Sequence, residues 1–284
     1  MTEDWGFFER RTDTELMRIL INCEWRTDAP LDRLPELLSV TVNLYSVGKS
    51  RAARQDAVAR LTRLEAELEQ ALTDAVYIGR INTPSRLEYY YYGREGTGGL
   101  PQLREVLGRY PDLRIQAYSK LDSDWSFYRY LLPNDLEELL IHNAQMVYAL
   151  VHKGDKIEKP RNVYHWLLFK DSGNRDHIGQ KLKRLGYRIE EMKPDETKLG
   201  ETKPGFPYPL VISRYEDVKL ETINGRVQEL YSLLRGSGGI YDGWGSVMKH
   251  TALQRLRIGG KRLFDALLSV FRKDTAGSGS VKRQ

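Results

Sequence analysis

Hydrophobic periodicity switches between the spacing of a strand and that of a helix in the same order in each half of this chain. Residues 37–46 (LLSVTVNLYS) alternate apolar and polar side chains, which predicts a half-buried strand. From residue 51 to 72 the apolar positions recur at helical spacing. The first half continues with the strands DAVYIGRINT and RLEYYYYG, a helix that begins near Pro101, and the strand LRIQAYSKL.

The second half repeats this order. Its predicted segments are the strand NVYHWLLF, a helix that ends near Gly186, the strands YRIEEM and YPLVISRY, a helix through Leu220–Leu234, and the strand GGIYDGWGSV. Two further strand-like stretches, DWGFFERRT and ELMRILINCEW, precede the first series. The order strand, helix, strand, strand, helix, strand occurs twice.

This order predicts an α+β protein built of two ferredoxin-like α/β sandwiches with antiparallel sheets. We expect domains at residues 1–133 and 155–250, linked by a helix over 134–154 for which Asn134 or Asp135 is the N-cap. Residues 251–284 are expected to form a basic amphipathic helix followed by a disordered end.

Composition narrows the cellular setting. The chain of 284 residues has one cysteine, Cys23, so an internal disulfide is impossible. The start MTEDWGFFERRTD lacks the basic and apolar regions of a signal peptide, and no uncharged apolar run reaches the length of a membrane span. We therefore expect a cytoplasmic protein.

Positive charge is concentrated at the C-terminal end. Residues 249–284 carry nine Lys and Arg against two Asp and Glu, a net charge of +7, whereas the whole chain is +5. The first 248 residues are thus near −2. The overall charge alone does not indicate a nucleic-acid interface, because nucleic acids bind to clustered positive charge and here the net positive charge lies in the C-terminal residues.

The glycine-rich stretch Gly236–Val247 (GSGGIYDGWGSV) is the first candidate site. Asp242 and Gly243 are typical of a turn in which Gly243 has a positive φ, and Trp244 would fold back onto the sheet edge. The stretch offers one carboxylate and no histidine, so it does not indicate catalysis. Two interpretations remain: a closing turn of the fold, or an edge that contacts a partner through Tyr241, Asp242 and Trp244.

The run of four tyrosines in RLEYYYYG is the second candidate. On a strand, Tyr89 and Tyr91 point to one face and their two neighbours to the other. One pair should pack on the helices, and the other could lie on an open face beside Tyr45. Packing, a protein-binding face and RNA stacking all suit such tyrosines.

The C-terminal segment GGKRLFDALLSVFRK is the third candidate. Its apolar residues fall on one helical face flanked by basic residues; those selected as partner contacts are Leu263, Phe264, Leu267 and Phe271. Docking on its own domain, binding in a partner's groove and peripheral contact with a membrane surface are the three interpretations.

Patterns of enzyme sites are incomplete in this sequence. Gly48-Lys49-Ser50 follows a strand, but the phosphate loop requires a glycine where Asn43 stands. The five histidines show neither zinc-ligand spacing nor H-E-x-x-H, and no nucleophile elbow occurs. We expect no catalytic residue, no cofactor and no metal.

The second half also resembles a known family. The stretches DKIEKPRNVYHWLLF, LKRLGYRIE and GGIYDGWG are similar to the regulator of ribonuclease E activity B family, small bacterial ferredoxin-like proteins that bind and inhibit an RNA-degrading endonuclease. The first half, through AVYIGRINTPSRLEYYYYG and DSDWSFYRYLLP, resembles a bacterial domain of unknown function found fused ahead of that regulator. The regulator family ends in an acidic segment, whereas this chain ends in a basic one.

The resemblance implies a non-catalytic protein that binds and modulates an RNA-processing endoribonuclease. The alternative from the residues themselves is a direct RNA-binding protein that uses a tyrosine-bearing sheet face and the basic tail.

Overall fold

A computed structural model describes residues 4–46, 51–96, 99–191 and 203–249. The chain divides into two compact units, Met1–Ile141 and His142–Gln284. Each unit contains one antiparallel sheet with helices, which confirms the predicted α+β class. Within the described ranges, no helix is both long enough and apolar enough to cross a bilayer.

The first unit has a six-stranded sheet. Its strands are β1 (Trp5–Arg11), β2 (Leu16–Asn22), β3 (Glu36–Asn43), β4 (Val76–Asn82), β5 (Arg86–Gly93) and β6 (Ile115–Leu121), and its helices are α1 (Arg51–Ala71), α2 (Gly99–Leu107) and α3 (Ser126–Leu131). The order across the sheet is β1-β2-β4-β5-β3-β6, with every neighbouring pair antiparallel. The two N-terminal strands extend the four strands of the predicted series.

The central strands of this sheet are buried on both faces. One face packs against α1 and α2 in a cluster that includes Leu64, Leu68 and Leu103. The other face packs in a second cluster that includes Trp125 and Tyr128. Strand β5 therefore has no solvent-facing side, which explains why all four of its consecutive tyrosines are buried.

Helix α3 begins at a tight bend that the hydrophobic pattern does not predict. Trp125 adopts a left-handed conformation (φ 53°), stacks on Tyr92 with ring centroids 4.0 Å apart, and donates from Nε1 to the carbonyl of Leu34 at 2.9 Å. The Asp122 carboxylate accepts hydrogen bonds from the backbone N–H groups of Ser126 and residue 127. Burial raises the pKa of Asp122, but hydrogen bonds from the hydroxyls of Ser126 and Tyr92, together with these two N–H groups, outweigh it and bring the pKa to about 2.

Helix α4 (Asp135–His152) is the predicted linking helix. Asn134 Oδ1 accepts from the N–H of Glu137 at 3.0 Å, and the Glu137 carboxylate accepts from the N–H of Asn134 at 2.9 Å, so Asn134 is the N-cap in a reciprocal pair. The boundary between the compact units falls inside this helix, after Ile141. Its first turns belong to the first unit, where Glu137 pairs with Arg10 at 2.7 Å.

The second unit has a four-stranded sheet. Its elements are β7 (Arg161–Phe169), α5 (Ser172–Arg184), β8 (Arg188–Glu190), β9 (Tyr208–Glu216), α6 (Leu220–Leu234) and β10 (Gly239–Ser246). The order across the sheet is β10-β7-β9-β8, again antiparallel throughout. As the sequence predicts, α5 stops at a glycine of positive φ, Gly186 (φ 87°).

Helices α5 and α6 pack on the same face of this sheet. A Cβ on Gly179 of α5 would lie 3.8 Å from Leu210, and one on Gly239 would meet both Phe169 and Leu234 of α6. Leu210 and Phe169 point to this face because alternate residues along β7 and β9 share a side. We call it the helix face and the opposite side the open face. On the open face Leu168, Val211 and Ser213 are buried, whereas Asn162 and Tyr215 are exposed.

Candidate partner-binding site

Strand β10 forms one edge of the second sheet and carries the YDGWG stretch. Among the described strands β10 pairs only with β7. The backbone N–H and C=O groups along its outer edge therefore form no hydrogen bonds with another described strand. The register shifts between Tyr241 and Gly243, which makes Asp242 the extra residue of a β-bulge. The predicted positive φ at Gly243 is confirmed (φ 145°), but the predicted closing turn is wrong, because the strand runs through to Ser246.

The bulge decides which side chains of β10 are buried. Tyr241 pairs with Leu167 and Trp244 with His165, so both aromatic side chains point to the helix face. In a regular strand, two residues three positions apart would point to opposite faces, and the bulge removes this difference. Each is only 7% exposed. The expectation that Tyr241 and Trp244 contact a partner directly is therefore corrected: they belong to the core.

Two hydrogen-bonded contacts fix these aromatic residues. The Tyr241 hydroxyl lies 2.9 Å from Nδ1 of His165. Trp244 Nε1 donates to Oδ1 of Asn143 on α4 at 2.8 Å, and Nδ2 of Asn143 donates to Oδ1 of Asn224 on α6 at 3.0 Å. Buried polar groups need such partners, so the network ties β10 to both helices.

His165 is a core residue and has no ligand-binding role that its surroundings support. It is fully buried, and burial, assisted by the charge of Arg226, lowers its pKa to about 3. The imidazole is therefore neutral at physiological pH. Its Nε2 makes no hydrogen bond to a described residue. No group of three His, Cys, Asp or Glu among the described residues could hold a metal ion.

Asp242 is the residue of the bulge that a partner can reach. Its carboxylate is half-buried and pairs with Lys203 Nζ at 2.8 Å. The lysine is itself 55% exposed, so solvent screens the pair. The edge of β10 thus presents backbone groups, two glycines and one paired charge.

A buried ion pair fixes the far end of β10. Arg161 donates two parallel hydrogen bonds to Asp155, at 2.7 and 2.8 Å, and a third to the carbonyl of Val247 at 3.2 Å. The Asp155 carboxylate also accepts from the N–H of Lys249 at 3.1 Å. Both charged side chains are almost completely buried, and the pair is well hydrogen-bonded, so it positions the strand end.

The tyrosine candidates of the first unit do not form a surface. Tyr89 and Tyr91 are 0% and 1% exposed and pack beneath α1 and α2, which corrects their assignment as partner contacts. Their neighbours Tyr90 and Tyr92 lie in the cluster on the other face. Tyr45 is 79% exposed, but it lies in a 3-10 turn after β3 rather than on the sheet.

Two candidate segments fall outside the described residues. One is Gly48-Lys49-Ser50, which the sequence did not support as a phosphate loop. The other is the C-terminal segment with Leu263, Phe264, Leu267 and Phe271, whose interpretation stays a prediction.

Sequence reasoning missed the role of Asn143. It lies mid-helix on α4, is 1% exposed, and bonds both Trp244 and Asn224. An asparagine on the apolar side of a helix is a signal that could have found it, because a buried amide needs partners. The pairing of His165 with Tyr241 gave no signal, since the two residues are far apart in sequence.

Comparisons with known proteins separate the two halves of the chain. Residues 140–246 match the family described as Regulator of ribonuclease activity B, and residues 3–132 match a family of unknown function, DUF695. These matches confirm the two resemblances found in the sequence. The first begins inside α4, close to the boundary of the second compact unit.

Curated relatives of the second half carry the same description. A Regulator of ribonuclease activity B from Haemophilus influenzae is 29% identical over 111 residues, which is 39% of this chain and 70% of the relative. Those from Idiomarina loihiensis and Colwellia psychrerythraea are each 24% identical, covering 43% and 41% of this chain and 92% and 97% of the relatives. A crystal structure described as a putative glycine cleavage system transcriptional repressor aligns at 13% identity with a TM-score of 0.20, over 75% of this chain and 98% of that one.

Proposed function

We propose that this chain is a non-catalytic, cytoplasmic regulatory protein whose second unit binds an RNA-processing endoribonuclease and lowers its activity. The observation that carries the proposal is the match of residues 140–246 to the regulator family, which spans the whole second sheet and the part of α4 from residue 140 onward. Relatives named as regulators of ribonuclease activity from three bacteria support the same role.

The outer edge of β10 is the part of this unit that we assign to the partner. An edge strand offers a row of backbone donors and acceptors to which an extended segment of another protein can add. Gly243 and Gly245 leave that edge without bulky side chains, and Asp242 supplies a charge at the bulge. Tyr241 and Trp244 act indirectly, since their burial holds the strand in this shape.

A reconstituted cleavage assay tests the proposal. The full chain is titrated into a reaction of a purified ribonuclease E-type endonuclease with a labelled single-stranded RNA, and complex formation is followed by size-exclusion chromatography. We expect dose-dependent inhibition together with a complex of the two proteins. RNA cleavage by this chain alone, or the absence of both inhibition and complex, would contradict the proposal.

A matched pair of charge reversals locates the site. Asp242→Lys changes the bulge and should weaken inhibition at least fivefold, because the partner's segment meets that position. Glu105→Lys reverses a carboxylate of α2, in the first unit, that is 76% exposed, and should leave inhibition unchanged. Equal effects of the two variants would remove the edge of β10 from the proposal.

A further inference from the structure

The open face of the second sheet has the arrangement of a stacking platform. Facing residues of paired strands share a side, so the registers place Tyr164 and Trp166 of β7 on the open face, with Tyr215 of β9 beside them. Tyr164 and Trp166 are half-buried, whereas Tyr215 is 71% exposed. All three aromatic side chains lie on the two central strands of the sheet.

Glycines of the edge strand flank this platform. Gly245 faces Tyr164 and Gly243 faces Trp166 across the β10–β7 pair. A Cβ at Gly245 would lie 3.3 Å from the Trp166 ring, so the indole rests against bare backbone. The aromatic surface is therefore bordered on one side by a low, glycine-lined edge rather than by side chains that would block it.

Positive charge lies at the other edge. Arg188 of β8 faces Ser213, the residue opposite Tyr164, and its side chain is 77% exposed. Its one ion pair among the described residues, with Glu190, is long at 3.6 Å. Glu190 accepts a hydrogen bond from Ser213 at 2.5 Å, and the Asp242 carboxylate at the bulge is paired with Lys203.

From this geometry we propose that the open face of the second unit binds single-stranded RNA, with bases stacked on Tyr215, Tyr164 and Trp166 and a phosphate beside Arg188. Unstacked bases bind aromatic side chains on the central strands of such sheets, and basic side chains at the rim neutralise the backbone. Arg188 is 77% exposed and its ion pair with Glu190 is long at 3.6 Å, so its guanidinium can supply the positive charge that a phosphate beside the rings requires. The inference does not rest on the regulatory function proposed above.

Fluorescence anisotropy with a labelled twelve-nucleotide oligouridylate tests the assignment on the full chain. Tyr215→Ala should weaken binding at least fivefold, since one base stack is worth about 1 kcal/mol or more. Tyr215→Phe keeps the ring and should bind as the unaltered chain does. Tyr118→Ala removes a strand tyrosine of the first unit that is 63% exposed and should change the affinity less than twofold.

Salt dependence and a duplex separate stacking from simple charge attraction. Arg188→Ala should lower the slope of log affinity against log salt by about 0.7, as for one phosphate contact of a single strand. An RNA duplex should bind at least fivefold more weakly than the oligouridylate, because its bases are not free to stack. The proposal is overturned if no RNA binds, if duplex and single strand bind equally, or if Tyr215→Ala and Tyr118→Ala have the same effect. Loss of ribonuclease inhibition in Tyr215→Ala without RNA binding would also overturn it, in favour of a protein-binding face.

Discussion

At the residue scale, the buried histidine of the second unit makes stability depend on pH. His165 has a folded-state pKa of about 3, below the value near 6.5 of an exposed histidine, so the unfolded chain takes up the proton first. The stabilisation is complete above pH 6.5 and is lost as the pH falls. Between pH 6 and 4 the free energy of unfolding should decrease by about 1.4 kcal/mol per pH unit on account of this residue.

Denaturant unfolding followed across that pH range measures this slope. His165→Gln should flatten it, because the substituted side chain does not titrate. His177→Gln replaces an exposed histidine of α5 and should retain the slope of the unaltered chain. If both variants keep the full slope, His165 is not its source.

The hydrogen bond between Trp244 and Asn143 is the second prediction at this scale. Trp244→Phe leaves the Asn143 carbonyl without its donor, and Asn143→Ala leaves the indole N–H without its acceptor, so each should cost about 1–3 kcal/mol of stability. In the double variant both the indole N–H and the Asn143 carbonyl are absent, so neither is left buried without its partner. The costs should fall short of additivity by about 1 kcal/mol in chemical denaturation, and strictly additive costs would show that the bond contributes nothing.

At the element scale, the bulge of β10 depends on one glycine. Gly243 has a φ of 145°, and a Cβ there would meet no atom within 4 Å, so Gly243→Ala introduces backbone strain without a clash. We expect a loss of about 1–2 kcal/mol, measured by thermal or urea unfolding. The loss should be accompanied by weaker binding of any partner that reads the strand edge.

A glycine of α6 is the matched control for this change. Gly225 also has open space at its Cβ but lies within a helix, where alanine is favoured over glycine. Gly225→Ala should therefore stabilise by about 0.5–1 kcal/mol. Destabilisation of similar size by both substitutions would mean that conformation at Gly243 is not the cause.

The element scale also shows what the sequence could and could not predict. Period-two and helical spacing predicted every strand of both sheets and five of the six described helices, since burial on one side imposes a period. The bulge at Asp242 was not predicted, because one inserted residue reverses the alternation of side chains between the two faces on which the prediction depends. Helix α3 was not predicted, because its start depends on the left-handed backbone of Trp125 and on the cap at Asp122. Neither feature appears as a periodic pattern of apolar residues.

The candidate sites were harder to predict than the fold. Alternation assigned the tyrosines of β5 to two faces correctly, but only the tertiary structure shows that both faces are covered. The open face of the second sheet was overlooked for a related reason. Tyr164, Trp166 and Tyr215 become neighbours through strand register, and register is not visible within either strand alone.

At the scale of the whole molecule, the net positive charge can be removed without removing a described element. Residues 250–284 carry a net charge of +6, so deleting them changes the chain from +5 to −1. Every strand of both sheets ends by Ser246. We expect the shortened chain to keep its melting temperature within about 2 °C, to elute earlier from a cation exchanger, and to bind RNA with a smaller salt slope.

The fivefold effect of Tyr215→Ala on RNA binding should persist in the shortened chain, because stacking does not require the basic segment. If the deletion abolishes that difference, the aromatic platform does not act by itself. A fall in melting temperature of several degrees would instead show that residues 250–284 stabilise a domain.

The hydrogen bond from Trp244 to Asn143 also determines where the gene can be cut if this domain is to be joined to others during evolution. A coding fragment that began at residue 155, after the linking helix, would encode all four strands of the second sheet but not the acceptor for its buried indole. A fragment that began near residue 140, where the family match starts, would encode both. Recombination that joins this module to new neighbours is therefore expected to cut within the helix rather than after it, so the last turns of α4 are inherited with the strand they support.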